Sequence, residues 1–186
     1  MTDSKRPDPL IQTLLDEYLV LAAQGGDRLA LGQLARRHHR RFVAHAWRLL
    51  GQREVAEDAV QAAWIEILRG LHALNDPRTF RAWAYRIVSR QAAKRIGSFV
   101  NDRAGLADLA DIHPEASDPA IPPSPGLGRA LASLPPGQRA ALALHYSDGL
   151  SLAEVAVALD IPVGTVKTRL HHARLRLKAE LEGHEP

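Results

Sequence analysis

Between Gly164 and Lys178 the chain places Lys167, Arg169, Arg174, Arg176 and Lys178, with His171 and His172, and no acidic residue at all. A helix face that is merely solvated usually alternates its charges, so an acid-free basic run points to a polyanionic partner. Val166, Leu170, Ala173, Leu177 and Leu181 recur at helical spacing through the same segment and form a stripe that can pack inward. The basic residues then occupy the outward side. On that side Thr168 and His171 sit centrally and can meet base edges, whereas Lys167, Arg169 and Arg174 splay toward phosphates. Leu175 falls among them without a nucleic-acid role; partner packing is the functional alternative to plain exposure.

Such a helix needs a platform, and the preceding residues supply one. Ser151-Leu152-Ala153-Glu154 is a capping box opening a short helix, with Val155, Ala156 and Leu159 inward. Asp160-Ile161-Pro162-Val163-Gly164 then makes a tight turn. Short helix, turn and second helix form a helix-turn-helix pattern, which offers its last helix to a duplex groove. Pro135-Pro136 suits the start of an earlier helix, which Leu142, Leu144 and Tyr146 continue and Asp148-Gly149 ends.

A second basic block lies upstream. The net charge of +3 hides segments of −2 (1–32), +8 (33–100), −4 (101–128) and +1 (129–186). The first helix is read from Leu10, Ile11, Leu14, Leu15, Tyr18, Leu19 and Ala22, closed by Gly25-Gly26. Asp27 caps a second, apolar at Leu31, Leu34, Phe42, Ala46, Leu49 and Leu50, stopped by Gly51, and carrying Arg36, Arg37, Arg40 and Arg41 outward. A third runs from about Arg53 to Leu71, apolar at Val55, Val60, Trp64, Ile67, Leu68 and Leu71. Asn75-Asp76-Pro77 breaks the helical course, and a fourth helix restarts near Thr79 with Phe80, Trp83, Ala84, Ile87, Val88 and Ile96 inward. No run alternates as a strand would. Residues 101–128 hold five prolines and five acids with one base, a composition too poor in apolar surface to offset its ordering entropy. They read as a linker, whose 28 residues reach ~90 Å at most.

The fold class expected is therefore all-α: two small helical domains, 8–100 and 129–183, joined by an acidic, proline-rich linker at 101–128. The absence of cysteine excludes disulfide frameworks, thiolate metal sites and thiol catalysis. No apolar run approaches the ~20 residues of a membrane span, and Met1 to Pro9 is polar and proline-broken, so a soluble cytoplasmic protein is expected. His38, His39 and His45 do not form a metal set, because adjacent helical residues point apart and no carboxylate cluster accompanies them.

Several strings together resemble one family. Leu134-Pro-Pro-Gly-Gln-Arg139, Gly149-Leu-Ser-Leu-Ala-Glu-Val-Ala156 and Ile161-Pro-Val-Gly-Thr-Val-Lys-Thr-Arg-Leu-His171 are similar to the promoter-reading domain of extracytoplasmic-function (ECF) sigma factors. Ala56-Glu-Asp-Ala-Val-Gln61 and Phe80-Arg-Ala-Trp-Ala-Tyr-Arg-Ile87 resemble the other domain of that family. The resemblance covers roughly 20–100 and 128–182. It implies a transcription initiation subunit, not an enzyme, with no cofactor, no metal, no catalytic residue, no small-molecule substrate and no membrane insertion. The implied partners are core RNA polymerase, promoter DNA and an inhibitory anti-sigma protein.

By matching positions, the resemblance assigns Asp58, Gln61 and Trp64 to docking on the polymerase. It assigns Asn75, Asp76, Arg78, Thr79, Arg81 and Arg90 to the minus-ten element, the Asn75–Thr79 loop taking a flipped base. Lys167, Thr168, Arg169, His171, His172 and Arg174 fall to the minus-thirty-five element. Plain readings stand beside these: Trp64, Phe80 and Trp83 suit core packing, Asp58 and Gln61 a solvated face, and Asn75-Asp76-Pro77 turn chemistry. The chain also departs from the family pattern. Ala62 stands where a carboxylate is usual, which implies weaker clamp affinity; Arg90 and Lys94 replace an asparagine and an aspartate; His172 replaces an arginine and, mostly uncharged near neutral pH, implies weaker phosphate attraction. Two other function classes stand beside this one: a free-standing helix-turn-helix regulator binding a palindromic operator, and a hydrolase or metalloenzyme, which would need a nucleophile–base or ligand set that the sequence does not show.

Overall fold

A computed structural model of the chain describes residues 9–102 and 125–182. Eight α-helices account for most of them, and no strand occurs among the described residues. The amino-terminal block comprises α1 (Pro9–Gln24), α2 (Arg28–Leu50), α3 (Arg53–Gly70) and α4 (Phe80–Asp102); short 3-10 turns at Leu71–Ala73 and Pro77–Thr79 join α3 to α4. The carboxy-terminal block comprises α5 (Pro125–Ala132), α6 (Pro136–Leu142), α7 (Leu152–Leu159) and α8 (Val163–Glu182), with a π-helical turn at Ala143–Ser147 after α6. Helix thus extends to Asp102 and resumes at Pro125, inside both ends of the segment read as linker. Residues 103–124 lie outside the described residues.

Local chemistry sets the helix ends. The Asp27 carboxylate accepts from the backbone N–H groups of Leu29 and Ala30 at 2.8 and 3.1 Å, satisfying donors that the first turn of α2 leaves orphaned. Gly51 closes α2 in the left-handed region, φ 74°, where a side chain would be strained. Ser151 and Glu154 cap α7 reciprocally: the Ser151 N–H donates to Glu154 Oε2 at 2.8 Å, and the Glu154 N–H to Ser151 Oγ at 3.2 Å.

Phe42, fully buried, is the hub of the amino-terminal core. Its ring centroid lies 5.6 Å from His38, 5.4 Å from Trp64 and 5.0 Å from Tyr85, so one side chain ties α2 to α3 and α4. Leu19, Val20 and Ala23 bring α1 into the same core. Several expected inward positions are not inward. Leu10, Ile11, Leu14 and Tyr18 are 55–65% exposed, and Leu68 and Ile96 are exposed as well. The α1 stripe is real, but α2 and the second 3-10 turn cover chiefly the other side of the helix. Asp16, on that covered side, is buried against Arg37 Nε at 2.8 Å and His38 Nε2 at 3.1 Å. Burial alone would raise its carboxyl; the hydrogen bonds and charges of His38 and Arg37 outweigh this and hold it below the usual carboxylate range. Arg37, expected outward, is consequently held in an internal ion pair.

His45 is fully buried and shares a hydrogen bond of 2.8 Å, through Nε2, with Ser89 Oγ. Burial, reinforced by Arg48, lowers its pKa from 6.5 to about 3. The unfolded chain therefore binds a proton at this position that the folded chain refuses. Its contribution to stability is complete above pH 6.5 and declines as pH falls toward 3, by ~1.4 kcal/mol per pH unit. Chemical denaturation at pH 7, 6 and 5 checks this: His45→Gln flattens the decline relative to the parent protein, and parallel curves for the two would contradict it.

The carboxy-terminal core gathers Leu134, Ala141, Leu144, Leu150, Val155 and Ala158 around Val166, Leu170 and Ala173 of α8. The two blocks meet directly, α4 against α7 and α2 against α6.

Candidate nucleic-acid interface and polymerase-docking face

Helix α8 buries Val166, Leu170 and Ala173 and leaves Lys167, Thr168, His171, His172 and Arg174 exposed, as the sequence pattern requires. Leu177 is half-buried and Leu181 exposed, so the stripe fades toward the end of the helix. Position in the turn comes from Asp160, which adopts φ 54°, and from the Ile161 N–H donating to Ala156 O at 3.0 Å. Aspartate tolerates this left-handed conformation better than most residues do. Two members of the basic set differ from the rest. Arg169 is half-buried, with its guanidinium over Gly137 so closely that a β-carbon there would lie 2.9 Å from Nη1. It braces α8 on α6. The Thr168 hydroxyl donates to Gly164 O at 3.0 Å, which leaves its oxygen facing outward as an acceptor.

The second candidate site is a cavity of about 680 Å³ between the end of α3, the 3-10 turns and the start of α4. Asn75, Asp76, Thr79 and Arg90 line it, together with Trp83 and Arg86. The loop is held rigidly. Gln24 Nε2, from α1, donates to Leu71 O and Leu74 O at 2.9 and 2.8 Å. Asp76 caps the second 3-10 turn by accepting from the Arg78 N–H at 3.0 Å, and the Arg78 guanidinium grips the same carboxylate through Nε and Nη2, each at 3.0 Å. The hydrogen bonds from Arg78 hold the Asp76 carboxyl below its usual range, so it stays ionised. Thr79 Oγ1 donates to Asp76 O at 2.7 Å. Turn chemistry and a binding site therefore coincide: the first builds the wall of the second.

Two residues expected at this site are placed elsewhere. Arg78 is clamped on Asp76 and does not line the cavity. Arg81 points to the other block and donates to the backbone carbonyl of Asp148. Trp83, read as core, is half-buried and forms part of the wall; a β-carbon at Gly70 would meet its ring at 2.9 Å, so glycine there makes room for the indole. Arg86 was missed, though it stands one helical turn before Arg90 on the same face of α4. Glu66 of α3 holds that face by pairing with Arg90 and accepting from Gln91 Nε2 at 3.0 Å.

On α3, Asp58 and Gln61 are exposed, and so are Ile65 and Leu68, 52% and 44%. At spacing i, i+3, i+7 and i+10 these four make one mixed polar and apolar stripe. Trp64 is beside it rather than in it: half-buried against Phe42, with Nε1 donating to His39 Nδ1 at 3.3 Å. Ile65 and Leu68 carried no separate signal in the sequence, because apolar residues on an amphipathic helix read as core.

Comparison with known proteins agrees with this architecture. Residues 34–98 match the family described as Sigma-70 region 2, and residues 126–177 the family described as Sigma-70, region 4. The chain is 35% identical over 163 residues to the ECF RNA polymerase sigma factor SigM of Mycobacterium tuberculosis, covering 87% of this chain and 82% of that protein. It is 30% identical over 178 residues to the ECF RNA polymerase sigma-E factor of Escherichia coli, covering 88% and 92%. Among solved structures it is similar to CnrH in complex with the cytosolic domain of CnrY, with a TM-score of 0.61, 25% identity, and coverage of 92% and 99%. RpoE in complex with the anti-sigma factor NepR from Bartonella quintana shares the fold, with a TM-score of 0.65 at 24% identity and coverage of 83% and 98%. Two sigma-70 regions in order, on helices that bury one face and present basic and mixed surfaces on the other, make this chain a member of the ECF sigma factor family, which binds core RNA polymerase and directs it to promoters.

Proposed function

We propose that the exposed basic side of α8 reads the minus-thirty-five element, with Thr168 and His171 at base edges and Lys167, His172 and Arg174 at or near phosphates. The observation that carries this is the acid-free basic face between Gly164 and Lys178, left open by a helix whose apolar side is buried on its own platform. The cavity walled by Asn75, Thr79, Trp83, Arg86 and Arg90 takes an unstacked base of the minus-ten element: the indole offers a stacking surface and the polar groups offer hydrogen bonds. The stripe Asp58, Gln61, Ile65 and Leu68 docks on the clamp helices of the largest polymerase subunit, with Trp64 as its internal support. Residues 8–100 and 129–183 act as the two functional domains around the 101–128 linker. All bond-making chemistry belongs to the polymerase. One solved relative, RpoE, was captured with the anti-sigma factor NepR, which supports a partner of that kind here; the other, CnrH, was captured with the cytosolic domain of CnrY. The protein works where the polymerase is, in the cytoplasm, and no helix among the described residues is long and apolar enough to cross a membrane.

Leu68→Glu tests the docking face. A charge placed at the centre of an apolar contact costs ~2 kcal/mol or more, about thirtyfold in affinity. Anisotropy of the labelled protein titrated with core polymerase should show that loss, with promoter duplex binding by the protein alone unchanged. Unaltered core affinity would remove the α3 assignment.

A further inference from the structure

Both carboxylates on the wall of the base cavity are already engaged by the protein's own donors. Asp76 accepts at Oδ1 from the Arg78 backbone N–H and Nε, and at Oδ2 from Arg78 Nη2. Glu66 accepts at Oε1 from Arg90 Nη2 and at Oε2 from Gln91 Nε2, the latter at 3.0 Å. Of the cations on the same wall, Arg86 engages Asp160 through Nη2 at 2.9 Å. Arg90 pairs with Glu66 alone among the described residues, and its side chain is about half exposed. A guanidinium has five N–H donors and two two-pronged edges that share Nη2. Whichever Nη2 hydrogen Glu66 takes, one of those edges stays free. Because Glu66 bridges two successive residues of α4, its carboxylate is held at both ends and sets where that free edge lies.

We propose that Arg90, oriented by Glu66, selects the unstacked base of the minus-ten element, and that it takes a base presenting two adjacent hydrogen-bond acceptors: guanine through O6 and N7, or cytosine through O2 and N3. Adenine and thymine set an N–H donor beside each acceptor on their hydrogen-bonding edges, so a two-pronged donor meets one acceptor and one opposing hydrogen. Asn75 and Thr79 can accept from such a hydrogen, but a charge-assisted bond from arginine is about twice as strong as a neutral one. Trp83 offers a stacking face that is indifferent to base identity, which leaves the choice to Arg90. Glu66 is a positioning residue, acting on the base only through Arg90. The proposal rests on the cavity being the minus-ten base site and adds which bases it accepts and which residues choose them.

Holoenzyme reconstituted from the full chain and core polymerase tests it. The probe is a fork duplex, single-stranded across the minus-ten segment of the nontemplate strand, in which each position in turn carries guanine, cytosine, adenine, thymine or no base. Trp83→Leu, which refills the wall without an indole face, locates the cavity: at one position it should erase the advantage of a base over none. At that position the parent protein should bind guanine, cytosine or both about tenfold or more tighter than adenine and thymine. Either base supports the proposal, and the one preferred identifies the edge that is read.

Arg90→Gln, at an exposed position, should abolish this preference and turn it toward adenine, whose N6 and N7 suit a glutamine amide. Glu66→Gln should lower the ratio of guanine or cytosine binding over adenine and thymine by about threefold. Loss of one negative charge shifts affinity for all four probes alike and leaves that ratio untouched, so the ratio reports orientation. An unchanged ratio overturns the role of Glu66. Adenine or thymine preferred by the parent protein, or a preference that survives Arg90→Gln, overturns the choice by Arg90 and leaves the cavity assignment standing. If Trp83→Leu matters at no position, the cavity assignment itself fails, and the choice of base with it.

Discussion

Lys167→Glu combined with Arg174→Glu lowers promoter duplex affinity by about a hundredfold or more at physiological salt, and the slope of log affinity against log salt falls by about two. The two residues are exposed on the outer side of α8, and the stretch from Gly164 to Lys178 contains no carboxylate to share their charge. Each cation that neutralises a phosphate releases about one counterion, so losing two removes two units of slope, and the introduced acids add repulsion. Fold stability should move by less than ~0.5 kcal/mol, because neither side chain packs in the core. The contrast is Arg169, braced over Gly137, where truncation acts partly through the seating of α8 on α6. Titration of a labelled duplex at three salt concentrations checks the claim. Unchanged affinity and slope would remove this face of α8 from the interface.

The largest loss of stability falls at Phe42. Its side chain has no exposed surface and contacts His38, Trp64 and Tyr85, so Phe42→Ala opens a cavity where three helices converge. Aromatic-to-alanine changes in such cores cost ~3–5 kcal/mol, out of a total that for ordinary domains is ~5–15 kcal/mol. Urea titration should show the midpoint falling accordingly, and Phe42→Leu, which refills most of the volume, should recover more than half of the loss. A deficit under ~1 kcal/mol for the alanine variant would mean that the aromatic cluster is not the keystone described above.

Both effects trace to features of very different legibility. Caps are local chemistry, so Asp27, Gly51 and the Ser151–Glu154 box could be read directly and sit where their sequence context puts them. The α8 pattern was equally open, since one segment carries both the inward stripe and the outward charges. What the sequence hid was tertiary. Periodicity shows that α1 has an apolar stripe, yet not that α2 covers the other side and leaves Leu10, Leu14 and Tyr18 outside. Arg37 and Arg81 looked like the remaining arginines of a basic block; only packing brings Asp16 to one and the Asp148 carbonyl to the other. Trp83 belongs to the cavity because the 3-10 turns fold back over α4, and no helical spacing announces that; Arg86 was signalled only by its place one turn before Arg90. Ile65 and Leu68 are the same problem reversed, since an apolar residue kept outside for a partner has the signature of one kept inside for the core.

The central claim is that this chain supplies promoter specificity and entry to a polymerase that lacks both. Run-off transcription with purified core polymerase and a template carrying DNA upstream of the chain's own coding sequence tests it most directly. The account predicts a discrete transcript only when the protein is added, abolished by Leu68→Glu and by Lys167→Glu with Arg174→Glu. Tight binding of the protein alone to a palindromic duplex, with no transcript of defined start from any template it binds, would contradict it.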